Sequence, residues 1–103
     1  GRSAAYVTDT RAVGPKTLRR IRGVDLLLHE AYFEESQREL AVRSGHCTAS
    51  DAAVAARESE AGRLIMMHLN PRATDDQEAM ALAEARAIRP DAVFGRDGDV
   101  ITL

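Results

Sequence analysis

Tryptophan is absent from this 103-residue chain, and with only two Phe and two Tyr any core it builds is aliphatic and alanine-rich. A single cysteine, Cys47, excludes an intramolecular disulfide and suits a reducing compartment. No apolar run approaches the roughly 20 residues of a membrane helix, and the amino end lacks the basic-then-apolar pattern of a secretory leader. The sequence therefore reads as cytoplasmic, with no membrane partner. A charge excess is missing too: 14 Lys plus Arg face 16 Asp plus Glu, a net charge of −2, so no global field draws nucleic acid to the surface. Any RNA contact has to be local. Lysine itself is nearly lacking, since every basic residue but Lys16 is arginine, a bias that fits either GC-rich coding or phosphate recognition.

What is present is enough for one domain, residues 1–103, with a modest core. Gly1-Arg2-Ser3 reads as the tail of a hairpin turn ahead of a first strand at Ala4 to Thr8. Val13-Gly14-Pro15 breaks the chain, Lys16 to Ile21 forms a short helix ending at Gly23, and Val24 to Leu28 is a second strand. Ala31 to Ser44 has a weakly helical period and is expected to be a loop with at most one helical segment. Thr48 with Asp51 resembles a capping box opening a helix to about Ala61, with Gly62 as its stop. Arg63 to Met67 is too short for a helix and continuously apolar after its first residue, as expected of a strand covered on both faces. Thr74 with Gln77 starts another helix, closed at Arg89-Pro90. Ala92 to Phe94 and Val100 to Leu103 flank a Gly/Asp-rich turn and read as a final hairpin. The order β-α-β-loop-α-β-α-β-β specifies an α/β fold with a mixed sheet of about five strands, mostly parallel with an antiparallel edge.

Three apolar runs end on ionisable side chains: the first on Asp9, the second on His29-Glu30, the third on His68. In parallel neighbouring strands these groups emerge along one edge, where open α/β sheets bind ligands. Asp9 is a candidate metal carboxylate or a helix cap, and His68 a candidate ligand or a buried, hydrogen-bonded core histidine. His29 and Glu30 point to opposite faces if extended, so only one of them can address a given site. His46 lies just before a capped helix amino terminus, where free N–H groups favour phosphate, and it is a candidate proton donor to a leaving oxygen or a plain loop histidine. Cys47 beside it reads as a packed thiol rather than a nucleophile. A catalytic zinc takes three protein ligands and a two-metal site more, whereas Asp9 and His68 supply two. No HxHxDH or CxxC cluster and no phosphate-binding Gly-rich loop is present.

Taken in order, Tyr6 to Arg11, Leu28-His29-Glu30-Ala31-Tyr32-Phe33, Gly45-His46-Cys47-Thr48-Ala49 and Met67-His68-Leu69-Asn70-Pro71-Arg72 resemble the carboxyl-terminal half of a metallo-β-lactamase-fold hydrolase, nearest the ribonuclease Z type of phosphodiesterase. The resemblance implies half of an αββα sandwich. It also implies hydrolysis of a phosphodiester by metal-activated water, with two zinc ions in the complete fold, manganese being an alternative. Asp9 matches the bridging aspartate and His68 the last histidine ligand. Glu30 and His46 match a pair that orient each other, contact the scissile phosphate and assist leaving-group protonation. Cys47 stands where the family has serine, Tyr32 where it has threonine, and Asn70-Pro71-Arg72-Ala73 where transfer-RNA processors carry a serine and an Arg-Tyr pair. The amino-terminal half, with its HxHxDH cluster, is the implied partner in cis or in trans, and metal binding by this chain alone is expected to be weak or absent.

Two readings follow. In one the chain supplies part of a dinuclear phosphodiesterase site and is inactive without its other half; in the other it is a non-catalytic half-domain serving as a structural or interaction module. A third, a self-contained single-metal site on Asp9, His68 and another histidine, stays open. An isolated half leaves sheet surface uncovered, so a homo-oligomer is expected.

Overall fold

Four short strands lie in chain order, β1 (Ala4–Val7), β2 (Leu26–Glu30), β3 (Leu64–Met67) and β4 (Val93–Phe94), and every neighbouring pair is parallel. This computed structural model describes residues 2–8, 12–96 and 98–102. Asp9 lies outside the described residues. Between the strands run α1 (Pro15–Arg20), α2 (Arg38–Ser44), α3 (Ala49–Glu58) and α4 (Asp75–Ile88). The registers Val7 to His29, Glu30 to Met67 and Met66 to Phe94 bring the carboxyl ends of all four strands to one edge.

Alanine decides how the layers meet. Ala49, Ala52, Ala53 and Ala56 of α3 and Ala81 and Ala85 of α4 are buried against Leu27, Leu64 and Met66 of the sheet. Small side chains let α3 lie close to both the sheet and α4, and each fully buried Leu or Met contributes about 1.5–3 kcal/mol. Both expected capping boxes form, Thr48 with Asp51 and Thr74 with Gln77, each with reciprocal side-chain and backbone bonds. The segment expected as a loop holds one turn of 3-10 helix at Glu35–Gln37 followed by α2.

Two expectations need correction. The sheet has four strands rather than five and is wholly parallel among the described residues, because the closing hairpin does not form. Its turn is present, with Asp99 N donating to Arg96 O at 3.0 Å. Beyond it Val100 is 92% exposed, and Thr102 O accepts from Arg63 Nη1 at 3.1 Å near the start of β3. A two-residue β4 offers too short a ladder to hold a returning strand. Gly62, expected as the helix stop, serves another purpose: α3 closes at Ser59, and Glu60 carries the positive φ of 57°. A Cβ at residue 62 would sit 2.8 Å from the Asp25 carbonyl oxygen, so glycine is required there by close approach of two chain segments.

Candidate active site

Three connecting segments converge at the carboxyl edge of the sheet, and backbone bonds knit them together. Ala31 N donates to Met67 O at 2.9 Å, Asn70 N to Tyr32 O at 3.0 Å, Phe33 N to Cys47 O at 3.3 Å and Ala49 N to Phe33 O at 3.0 Å. The segments after β2, before α3 and after β3 thus form one platform.

His46 is fixed by two helix-end signals in immediate succession. Gly45 closes α2 in the left-handed conformation (φ 76°), its N–H donating to Val42 O while His46 N donates to Ala41 O at 3.0 Å, the Schellman pattern. Two residues later Thr48 caps α3. Arg38 ties the two helices: Nη2 donates to Asp51 Oδ1 at 2.9 Å and to Glu35 Oε1 at 2.8 Å, and these carboxylates raise its pKa further above an already high value. With both flanks locked, the His46 ring has little freedom.

Glu30, the last residue of β2, is 0% exposed, and its Oε2 accepts from His46 Nδ1 at 2.9 Å. Bonding of Nδ1 to a carboxylate assigns the tautomer and leaves His46 Nε2 as the atom able to exchange a proton. Tyr32 stacks on the other face of this arrangement, its ring centroid 4.4 Å from that of His46 at an interplanar angle of 12°. His68 meets both rings edge-on, 5.8 Å from His46 and 5.2 Å from Tyr32. Its φ of 65° places a non-glycine residue in the left-handed region, a conformation costing about 1–2 kcal/mol that turns the chain sharply out of β3.

His29 takes no part in this cluster. It is wholly enclosed, its Nδ1 donating to Glu30 O at 2.7 Å, while Nε2 has no hydrogen-bond partner among the described residues. Burial holds its pKa below the usual value, so the ring is neutral in the fold. Cys47 donates Sγ–H to the same Glu30 carbonyl at 3.3 Å, and desolvation pushes its thiol far above the ordinary range, which makes it an inert packed thiol.

Of the four site residues expected from sequence, Glu30, His46 and His68 are brought together, and Asp9 lies outside the described residues. Among the described residues no three His, Cys, Asp or Glu side chains converge to hold a metal ion. His68 offers one exposed imidazole, a donor zinc accepts, but a catalytic zinc takes three protein ligands, so the described residues do not make a metal centre on their own. Sequence reasoning gave Tyr32 no role. An aromatic two residues beyond a strand-ending glutamate was its only signal. No helix among the described residues is long and apolar enough to cross a membrane.

A family profile described as "Beta-lactamase superfamily domain" matches residues 1–69. Ribonuclease Z of Archaeoglobus fulgidus is 34% identical over 97 residues, covering 94% of this chain and 31% of that protein. Ribonuclease Z of Cytophaga hutchinsonii is 39% identical over 97 residues, covering 94% and 30% respectively. The chain thus spans about a third of the length of the curated relatives it matches. Among solved structures, the metallo-beta-lactamase fold protein YhfI of Bacillus subtilis superposes with a TM-score of 0.81 over 96% of this chain and 39% of its own, at 23% identity, a likeness of fold. The short form of human tRNase Z gives a TM-score of 0.76 at 26% identity, over 99% of this chain and 34% of its own.

Proposed function

The chain belongs to the beta-lactamase superfamily, and on that premise we propose that it supplies one part of the catalytic face of a phosphodiesterase of the ribonuclease Z type. The observation that carries the reading is the buried Glu30 carboxylate bonded at 2.9 Å to His46, at the sheet edge beside His68. Glu30 accepts from His46 Nδ1–H and so supports the doubly protonated ring, whose Nε2–H donates to a non-bridging oxygen of the scissile phosphate and passes its proton to the leaving oxygen as the P–O bond breaks, leaving a neutral imidazole. Tyr32, stacked against the imidazole, keeps its plane fixed. Water exclusion around Glu30 is already complete, since that carboxylate has no exposed surface.

Asp9 and His68 are the residues offered to zinc or manganese, with the remaining ligands coming from sequence outside this chain in cis or in trans. A bound metal would supply Lewis acidity toward a water and the phosphate. The short share of its relatives that the chain covers supports this division. An RNA substrate is the extension suggested by the names of those relatives.

Reconstitution tests the proposal. Mixing this chain with a polypeptide carrying an HxHxDH segment and the first half of such a fold, in the presence of zinc, is expected to produce hydrolysis of bis(p-nitrophenyl) phosphate that neither polypeptide gives alone. Full-length parent protein devoid of phosphodiesterase activity with zinc and with manganese would sink the reading, and would favour a non-catalytic module instead.

A further inference from the structure

From Thr10 to Val24 the sequence carries five basic residues and no acidic one, while the rest of the chain carries nine basic against sixteen acidic residues. The net charge of −2 thus conceals a concentrated positive segment, most of which is α1 and its exit. Lys16, Arg19 and Arg20 stand three and four residues apart on one face of that helix, and all three are exposed. Leu18 and Ile21, on the opposite side, pack into the core. Among the described residues none of these three cations makes an ion pair, whereas Arg22, past the helix, is held by Glu60 at 3.1 Å. The arrangement works against the helix that carries it. Like charges at those spacings repel, and Lys16 lies in the first turn, where the helix dipole favours an acid and none is present. A glutamate at position 16 would relieve both by pairing with Arg20. Helix stability therefore does not account for this face.

Resting on the phosphodiesterase reading for the class of polymer, we propose that the outward face of α1, Lys16 with Arg19 and Arg20, is a contact surface for the phosphodiester backbone of a nucleic acid, away from the scissile bond. The three cations lie within about one turn, 5.4 Å of rise, so they address neighbouring phosphates rather than one. Guanidinium forks match phosphate oxygens with two donors each. The helix has no aromatic side chain on which a base could stack, which makes the contact blind to sequence. Chain order aligns this face with the site, since α1 is entered from the carboxyl end of β1, at the sheet edge where Glu30 bonds His46.

Titration of the full chain with fluorescein-labelled oligouridylate, followed by anisotropy over a range of salt, tests this. The expected result is weak binding, near roughly 10⁻⁴ M at low salt, whose logarithm falls against that of salt with a slope of about −2, or about −0.7 for each of three phosphates. Arg20→Gln should make the slope shallower by about 0.7. Lys16→Glu separates binding from folding: it should raise the urea midpoint while weakening binding roughly tenfold or more. Arg96→Gln, beyond β4 at the other edge of the sheet, should change neither. Binding unaltered by Lys16→Glu would overturn the proposal, and so would oligoglutamate bound as tightly as oligouridylate, which assigns the face to an acidic protein. Hydrolysis of bis(p-nitrophenyl) phosphate by the reconstituted protein is read separately. That small substrate does not extend to α1, so Lys16→Glu should leave its turnover unchanged, and a loss would count against a backbone contact. Oligouridylate binding through α1 without any hydrolysis by the wild type refutes the function and keeps the surface.

Discussion

His29 and His46 carry the same side chain into opposite surroundings. His29 is enclosed and neutral, with its pKa lowered by burial; His46 is partly open and bonded through Nδ1 to Glu30. For His29 the consequence is a pH dependence of stability. Its folded pKa lies below the unfolded value of about 6.5, so the unfolded state binds the proton first. Stability is therefore full above that value and falls as pH drops below it. Urea midpoints measured from pH 7.5 to 5 should decline, and His29→Asn, which keeps a donor toward Glu30 O, should show a shallower decline over the same range. An identical slope in both would remove His29 from the account. At this scale the sequence was readable where a residue's neighbours dictate its place. Gly45 and Thr48 announce two helix ends, and His46 has nowhere to go between them. The left-handed turn at His68 and the Tyr32 stack were hidden, because both depend on segments that meet only after the strands align.

Among the elements, α3 is the one whose position sets the site, since its first turn follows His46 directly and its alanines seat it on β2 and β3. Its far end is held by the approach of Gly62 to Asp25. Replacing Gly62 with alanine should cost about 1–3 kcal/mol, as expected of overpacking against backbone, despite the lower chain entropy of alanine in the unfolded state. Gly14→Ala has open space and no positive φ to resist it, and should be neutral within about 0.5 kcal/mol. Chemical denaturation of the two variants checks the contrast. A glycine just after a helix invites the reading of a left-handed cap, and only the packed structure reveals that residue 62 is small because the Asp25 carbonyl, just ahead of β2, lies against it. The last hairpin misled for a related reason: Val100 to Thr102 has the composition of a strand but lacks a partner long enough to pair with.

At the scale of the whole molecule, the sheet has two unequal faces. Leu27, Leu64 and Met66 lie on the face packed by the alanine helices. By strand alternation, the register row of Tyr6, Leu28, Ile65 and Val93 stands on the other, and Tyr6 and Val93 at its ends are 59% and 40% exposed. Such a row, together with the open edge of β1, favours association with a covering partner. Light scattering of the chain at high concentration should give a self-associated species, and a stable monomer would count against this. Tyr6→Lys should shift the distribution toward monomer. Alternating strands and helices were enough to specify the α/β fold and the edge at which the candidate site residues meet. The number of strands was not legible, since it depends on what pairs with β4 and the residues after it.

In the proposed function Glu30 and His46 act as one proton-handling unit, and kinetics of the zinc-loaded, reconstituted protein are the sharpest check of that pairing. With bis(p-nitrophenyl) phosphate, His46→Ala and Glu30→Gln should each lower kcat by about 10²–10⁴, the usual contribution of a positioned acid. The double variant should be little worse than either single one, because the two residues act through the same imidazole. Zinc content and circular dichroism should stay unchanged. Hydrolysis at the wild-type rate by folded, zinc-loaded His46→Ala protein would contradict the account.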